Sequence, residues 1–374
     1  MSHPEHIITA GKPVIGDQLI GRQKEIGLIN HYLDTGQSVV LIAPRRYGKT
    51  SLLLEILRQR KSAGNYTASV DFFAIASILA LAAEITAQVL SNKKWTWSVY
   101  QLRTQLFELL KNMQFRQTVD QYDFILGFGN AQPDEWQLLS ESLKLIDTFA
   151  GENNRNIVCG FDEFGDLEKL DGDKIVKLFR SIIQLQKNSA YLFAGSYESV
   201  MTRIFSSRSS PFLRFARIIH LGPVDKDEFR IFINGVFGHN QVQQGESLTD
   251  EILTYTGGHP YYTQLLAQQA IFMQSTNKSK PIPFERVLDE VLSLENDYLE
   301  KMWEAISANR QQKTVLLAIA EGTEALYSHL DRNRINVSRT LKQLSGSGLV
   351  ITKPTPTLTD PLFRTWLRKR VLKM

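Results

Sequence analysis

At 374 residues the chain has room for two or three domains, each with its own core, and its 43% apolar content is that of an ordinary globular protein. A net charge of +4 is too small to demand a polyanionic partner over the whole surface. The single cysteine, Cys159, excludes an internal disulfide, and its place inside an apolar strand points to a buried thiol in a reducing compartment. The opening MSHPEHIITAGKP has neither the charged start nor the apolar core of a signal peptide. The most apolar stretch, Phe72 to Ala83, is too short to span a bilayer, so a cytoplasmic protein without membrane contact is expected.

Residues 1–20 read as an irregular lead-in. Ile20, Gly21 and Arg22 then open a helix whose apolar positions Ile26, Ile29 and Leu33 recur at helical spacing. The run Val39 to Ile42 predicts a strand, followed by APRRYGKT at residues 43–50 and by Ser51, Leu52, Leu53 and Leu54. Strand, phosphate loop and helix start follow one another here. Such a site needs backbone N–H groups that converge on a triphosphate, a lysine for the β- and γ-phosphates and a hydroxyl for Mg²⁺. Gly48, Lys49 and Thr50 supply the last three positions of the pattern GxxxxGK[ST], and Pro44, Arg45, Arg46, Tyr47 and Ser51 complete the nucleotide contacts. Ala43 stands where the first glycine is expected, and a residue this small still lets the loop turn away from the strand.

A helix over 49–61 leads through Gly64 and Asn65 to a second strand, Thr67 to Phe73 around Asp71, which makes a βαβ unit. Residues 78–150 read mostly helical. Their middle part, with Trp95, Trp97 and Gly127, Phe128, Gly129, has no clean period, and 95–135 is left as an insertion without a role.

Residues 155–161, RNIVCGF, predict a strand ending in Asp162 and Glu163; a helix from Lys174 to Leu185 and strands at Ala190–Ala194 and Arg217–Leu221 follow. Strands alternating with helices imply an α/β fold with a parallel sheet covered on both faces. A carboxylate pair at a strand end suits a nucleotide site: Asp162 holds Mg²⁺ through water and Glu163 polarises the attacking water. The bland reading is an acidic loop, with Asp166 and Glu168 close by. Ser196, at the tip of the next strand, either orients the γ-phosphate or lytic water or caps the helix starting at Tyr197. Arg214 and Arg217 are either arginine fingers, in their own chain or a neighbour's, or solvated surface residues.

After Pro223 the pattern is helical, with segments beginning near Asp225, Thr249, Tyr261, Pro283 and Leu294. In GGHPYY, Gly257 and Gly258 end one helix and Pro260 starts another, while His259 receives no role. From Asn309 three helices, the third SRTLKQLSGSG, and a small hairpin around Pro354 and Pro356 read as a winged helix-turn-helix. The expected division is a lead-in at 1–20, an α/β ATPase domain at 21–223, a helical lid at 224–306 and the winged module at 307–374.

These motifs together carry a family likeness. LIGRQKEI, APRRYGKTSLL, CGFDEF, YLFAGSYESVM, SPFLRFARIIHLGP, GGHPYYTQLLA and LTDPLFRTWLR, from about residue 16 to the C-terminus, resemble the archaeal-type ATPases of the STAND branch of the AAA+ superfamily. The resemblance implies a P-loop NTPase sheet, ATP and Mg²⁺ as ligands, and ATP hydrolysis, for which a slow turnover would be no contradiction. It sets Ile20, Gly21 and Arg22 on the adenine side, Lys49 and Thr50 on the phosphates, and Asp162 and Thr50 on the metal. Glu163 becomes the water-activating acid, Ser196 the sensor, Arg214 the arginine of a PLYGR-like segment, and Gly258 with Pro260 a GxP motif whose proline borders the base. Phe212 and Leu213 depart from the family's residues before that arginine.

Residues 327–374 carry ten Lys/Arg against Asp331 and Asp360, a net of +8 that exceeds the excess of the whole chain. Asn336, Ser338, Arg339, Lys342 and Gln343 on the third helix suit phosphates or base edges of duplex DNA. The other use of such a module is as a protein-binding or autoinhibitory lid. The chain therefore reads as a nucleotide-controlled switch acting through its winged helix, with homo-oligomers in view. The alternatives are an ATP-regulated DNA-binding protein serving recombination, transposition or defence, and a nucleotide-binding scaffold without hydrolysis.

Overall fold

The computed structural model describes residues 8–93, 116–119, 122–125, 134–196, 198–277, 280–323, 326–331, 335–352 and 354–374. Trp95, Trp97, Gly127 to Gly129, Tyr197, Arg332, Arg334 and Lys353, all noted in the sequence, lie outside them, as do residues 1–7.

Helix α1 (Gln23–Asp34) precedes strand β1 (Ser38–Ile42), and helix α2 (Lys49–Ser62) joins it to β2 (Tyr66–Asp71). Strand β2 stops at Asp71, whose carboxylate accepts the Phe73 N–H and turns 72–74 into a single tight turn. Helix α3 (Ile78–Leu90) and helix α4 (Glu135–Glu152) flank a two-stranded antiparallel hairpin, β3 (Arg116–Val119) with β4 (Tyr122–Ile125). Mostly helix was expected there; Thr118, Val119, Tyr122, Phe124 and Ile125 are residue types that favour strands.

Strand β5 (Ile157–Asp162), helix α5 (Glu168–Ile183), strand β6 (Ser189–Gly195), helix α6 (Glu198–Ser206) and strand β7 (Ala216–His220) complete the α/β part. Helix α5 starts earlier than the sequence suggests, but its backbone leaves helical angles at Asp171 and Gly172. The regular stretch begins where the apolar period does.

The sheet order is β2-β5-β6-β1-β7, every pair parallel. The carboxylate strand β5 is thus separated from the phosphate-loop strand β1 by β6 alone. Wholly buried β1 and β5 form the middle of two apolar layers, one centred on Val40, Phe161 and Phe193, the other on Val39, Leu53 and Leu192. Cys159, in β5, is fully buried, and burial pushes its thiol well up.

Beyond His220 come α7 (Lys226–His239), α8 (Gly245–Thr256), α9 (Pro260–Thr276), α10 (Phe284–Leu294) and α11 (Asn296–Ser307). Then follow α12 (Arg310–Glu321), α13 (Leu326–Asp331), α14 (Val337–Gly346), the antiparallel pair β8 (Val350–Ile351) and β9 (Thr357–Leu358), and α15 (Pro361–Trp366). One apolar cluster runs through all of this region, from Phe229 and Leu266 to Leu341 and Phe363. Among the described residues no helix is long and apolar enough to cross a membrane.

Candidate functional site

The phosphate loop leaves β1 at Ile42 and enters α2 at Lys49, with Gly48 capping the helix in a left-handed conformation (φ 84°, ψ 21°). A side chain at Gly48 would be strained there, which is why the turn needs glycine. Arg46 is also left-handed, at φ 68°. Lys49 is 4% exposed, and its ammonium donates to the carbonyls of Ala43 (2.9 Å) and Pro44 (3.0 Å). Burial lowers its pKa to about 8, against the opposing pull of Glu163 and Asp162.

The hydroxyl of Thr50 donates to Asp162 Oδ2 at 2.6 Å, joining the first turn of α2 to the tip of β5. Asp162 Oδ1 accepts the Glu163 N–H at 3.0 Å. Burial raises the Asp162 pKa, the Thr50 hydrogen bond opposes it, and the nearby charges of Glu163 and Asp71 add to it. Glu163 sits in left-handed backbone (φ 47°, ψ 40°), and both its oxygens are held by Ser196: the amide donates to Oε2 at 2.9 Å and the hydroxyl to Oε1 at 2.5 Å.

These groups share one cavity of about 670 Å³, a size suited to a nucleotide. Of the sequence-predicted residues, Ile20, Arg22, Arg45, Arg46, Tyr47, Gly48, Lys49, Thr50, Ser51, Asp162, Glu163, Ser196 and Pro260 line it. Gly21 and Pro44 do not line it but shape it. Gly21 (φ 66°) passes so close to Val224 that a Cβ would lie 2.2 Å from Cγ1, and Pro44 offers its carbonyl to Lys49. Arg22 is 2% exposed and ties the site together: it donates to Glu25 (2.8 Å), to the Tyr47 carbonyl (3.2 Å) and to the Gly222 carbonyl (2.8 Å). Its guanidinium braces the loop against the end of β7.

Arg214 stands apart. It is exposed, left-handed (φ 60°) and outside the lining of the cavity, while Arg217 bonds Gln37 at 2.8 Å. Phe212, which breaks the expected pattern, is fully buried among Phe164, Phe193 and Phe205, with the nearest ring centroid at 5.2 Å. The ring anchors this turn to the aromatic core.

Other walls of the cavity were not foreseen. Gly11 to Val14 line it as an irregular strap, fastened by the Val14 N–H on Ser51 Oγ (3.1 Å) and the Gly16 N–H on Glu55 Oε2 (2.9 Å). Such a segment has no periodicity to reveal it. Asp71 and Phe73 also line the cavity, and Asp71 is in register with Asp162 on the neighbouring strand, so an acid at a strand end was the available signal. Tyr261 and Gln264 reach in from α9. His259 is 4% exposed, packed edge-on to Tyr47 at 4.6 Å and against Tyr262 at 4.7 Å, and burial holds its pKa at about 3.

A family model described as an ATPase domain predominantly from Archaea matches residues 19–266. The chain belongs to that family of ATPase domains. Its fold is similar to a Walker-type ATPase of Pyrococcus abyssi, with TM-score 0.67 and 18% identity over 96% of this chain and 99% of that one. It is also similar to the ORC2 protein of Aeropyrum pernix in its ADP form, with TM-score 0.52 and 15% identity over 96% and 95%. The ORC1 protein of the same organism, solved in complex with DNA, gives TM-score 0.50 and 13% identity over 95% and 94%. At such identities the likeness is one of fold, the α/β architecture with a five-stranded parallel sheet and a phosphate loop. No curated protein matches this ATPase-family chain in sequence.

Proposed function

We propose that the protein is an ATP-binding, Mg²⁺-dependent ATPase that works as a switch, its nucleotide state setting how the C-terminal elements are held. The observation that carries this reading is the 2.6 Å contact of Thr50 Oγ1 with Asp162 Oδ2, in one cavity with Lys49 and Glu163. A hydroxyl and a carboxylate oxygen converging in this way are hard donors that suit Mg²⁺.

In this reading the phosphates lie along loop 43–48 at the N-terminus of α2. Lys49 exchanges its two loop carbonyls for phosphate oxygens, which restores the charge that burial disfavours. Thr50 and Asp162 would hold a Mg²⁺, which would supply positive charge to offset that of the phosphates. Glu163, held by Ser196 through both oxygens, orients a water and receives its proton as that water attacks the γ-phosphorus, the bond to the β–γ bridging oxygen breaks and ADP leaves. Adenine fits between Ile20, Val224 and Pro260 under the strap.

The elements Arg310–Glu321, Leu326–Asp331, Val337–Gly346 and the β8–β9 pair support a winged helix-turn-helix, here the part that the nucleotide controls. A role for Arg214 as a finger requires a second copy of the chain, since it does not line its own cavity. The test is calorimetric titration of ATP and ADP with and without Mg²⁺, together with phosphate release. Tight Mg²⁺-dependent binding lost in Lys49→Ala, and turnover lost in Glu163→Gln, support the reading; wild-type protein that binds neither nucleotide overturns it.

A second reading rests on Arg339, Lys342 and Gln343, exposed on one side of α14. Such a face suits the phosphates of duplex DNA, and ATP would then control DNA occupancy. The far end of α14 is docked on α6, where Ser199 Oγ donates to the Gly346 carbonyl at 2.9 Å, so a lid released by nucleotide serves either reading. Charge reversal of Arg339 and Lys342 that leaves salt-dependent DNA affinity unchanged excludes the DNA reading.

A further inference from the structure

Arg46 belongs to the phosphate loop, yet its side chain is spent elsewhere. The guanidinium lies 4.2 Å over the ring of Tyr261 and 4.6 Å over that of Tyr298, with Nη1 3.6 Å from Glu295 Oε2 and 3.3 Å from the hydroxyl of Tyr262. An arginine over two tyrosine faces beside a carboxylate is a cation–π cage with an ion pair at its rim. The cage is built by α9 and α11, not by the α/β sheet.

From the cage a second link runs to the C-terminal elements. Tyr262 is 2% exposed and donates its hydroxyl to Asp360. Asp360 is the N-cap of α15, where its Oδ1 accepts the Phe363 N–H at 2.8 Å. A cap of this kind holds one of the otherwise unpaired amides of a helix start. The chain of contacts therefore goes from phosphate loop to tyrosine hydroxyl to helix cap, through three stretches of sequence far apart.

Arg46 also lines the nucleotide cavity and keeps 30% of its side-chain surface exposed. The guanidinium is thus held by Glu295 and the tyrosines at the wall of the cavity, where a phosphate group would offer it a second, bidentate partner. It cannot serve both equally.

We propose that Arg46 is the coupling group of the switch: a γ-phosphate draws it out of the tyrosine cage, Tyr262 and Asp360 lose that neighbour, and the cap of α15 loosens. This deepens the switch reading above and rests on it. The motif's paired arginines then divide the work, Arg45 staying at the cavity and Arg46 reporting its contents to α15.

The experiment is hydrogen–deuterium exchange over residues 360–371 without nucleotide, with ADP and with ATPγS, with nucleotide binding measured separately by calorimetry. In the wild type ATPγS speeds exchange at Phe363 and its neighbours at least threefold over ADP. Tyr262→Phe keeps the ring and deletes the hydroxyl; its exchange is fast in all three states, while its nucleotide Kd stays within threefold of wild type. Asp360→Asn retains a capping oxygen but not the charge, and gives the same uncoupling. If wild-type exchange is identical in the three states although nucleotide binds, the coupling is overturned and the ATPase reading stands. If exchange responds equally in Tyr262→Phe and Asp360→Asn, the switch stands and this route is wrong. If no nucleotide binds, both fall.

Discussion

Ser196 holds Glu163 by both oxygens, its amide on Oε2 and its hydroxyl on Oε1, across the tips of the adjacent strands β6 and β5. A carboxylate engaged twice is fixed in place, and here the fixing residue stands at the strand tip between Glu163 and the phosphate loop. The two residues are expected to act as a pair. Glu163→Gln lowers kcat at least ~100-fold, the usual size of a lost general base, with ATP affinity changed less than about threefold. Ser196→Ala removes one of two hydrogen bonds and lowers kcat by about tenfold. Single-turnover phosphate release measures both, and a Glu163→Gln enzyme that turns over normally denies Glu163 its role.

The Lys49 ammonium gives the nucleotide site a pH limit. Its pKa is lowered from 10.5 to about 8 by burial, so above about pH 8 the free protein presents a neutral amine to the phosphates. Affinity for ADP then falls with a slope approaching tenfold per pH unit, because binding must take up a proton. Folding responds with the opposite sign: between pH 8 and 10.5 the unfolded chain holds more protons at this residue, so stability from this group rises with pH. Lys49→Arg keeps its charge throughout and is expected to flatten the affinity profile between pH 7 and 9.5. Calorimetric Kd values across that range decide it, and a wild-type profile as flat as that of the arginine variant refutes it.

The junction between the sheet and the helical region turns on Gly258. Its φ is +82°, its carbonyl accepts the Val224 N–H at 3.0 Å, and a Cβ would stand 2.3 Å from the Val224 carbonyl oxygen. Gly257 beside it is also left-handed (φ +62°), but a Cβ there meets nothing within 4 Å. Gly257→Ala therefore costs about 1 kcal/mol of backbone strain. Gly258→Ala costs about 3 kcal/mol or more, since carbonyl and Cβ cannot share that space without moving β7 from α9. Chemical denaturation of the two variants compares them, and equal losses count against the contact.

How much of this was legible in the sequence follows from what each feature depends on. The parallel strands were legible because β1, β5 and β6 are apolar runs buried on both faces, and the phosphate loop because Gly48, Lys49 and Thr50 are adjacent residues with a fixed spacing. Helices α7 to α11 were expected as a run of helical segments, with Gly257, Gly258 and Pro260 marking the junction of α8 and α9, although α8 starts at Gly245 rather than near Thr249. The strap at 11–16 did not, since it is held by two backbone N–H groups on Ser51 and Glu55, partners that no local pattern reveals. Arg46 was visible as half of an arginine pair, but its cage unites residues 46, 261, 262, 295 and 298, which only the tertiary fold brings together. Phe212 looked like a departure from a motif and is a core residue of the aromatic cluster.

Glu55 provides the last test, because the strap depends on it. This carboxylate accepts from Arg58 (2.7 and 2.8 Å), Gln59 (2.6 Å) and the Gly16 N–H (2.9 Å). The Arg58 hydrogen bonds foremost, with those of Gly16 and Gln59, lower its pKa from 4.5 to about 2. A depressed carboxyl adds stability above its unfolded value and loses it as pH falls through the folded one, so the strap contact weakens only between pH 4.5 and about 2. Glu55→Ala is expected to free the strap at neutral pH: the Gly16 amide exchanges at least ~10-fold faster, as the loss of about 1.4 kcal/mol implies. Because Gly11 to Val14 line the cavity, ADP binding weakens too, while Glu55→Gln, which keeps an acceptor for Gly16, lies between. Amide exchange at Gly16 with parallel ADP titrations measures this, and a Glu55→Ala protein with a protected Gly16 amide would show that the strap is held by something else.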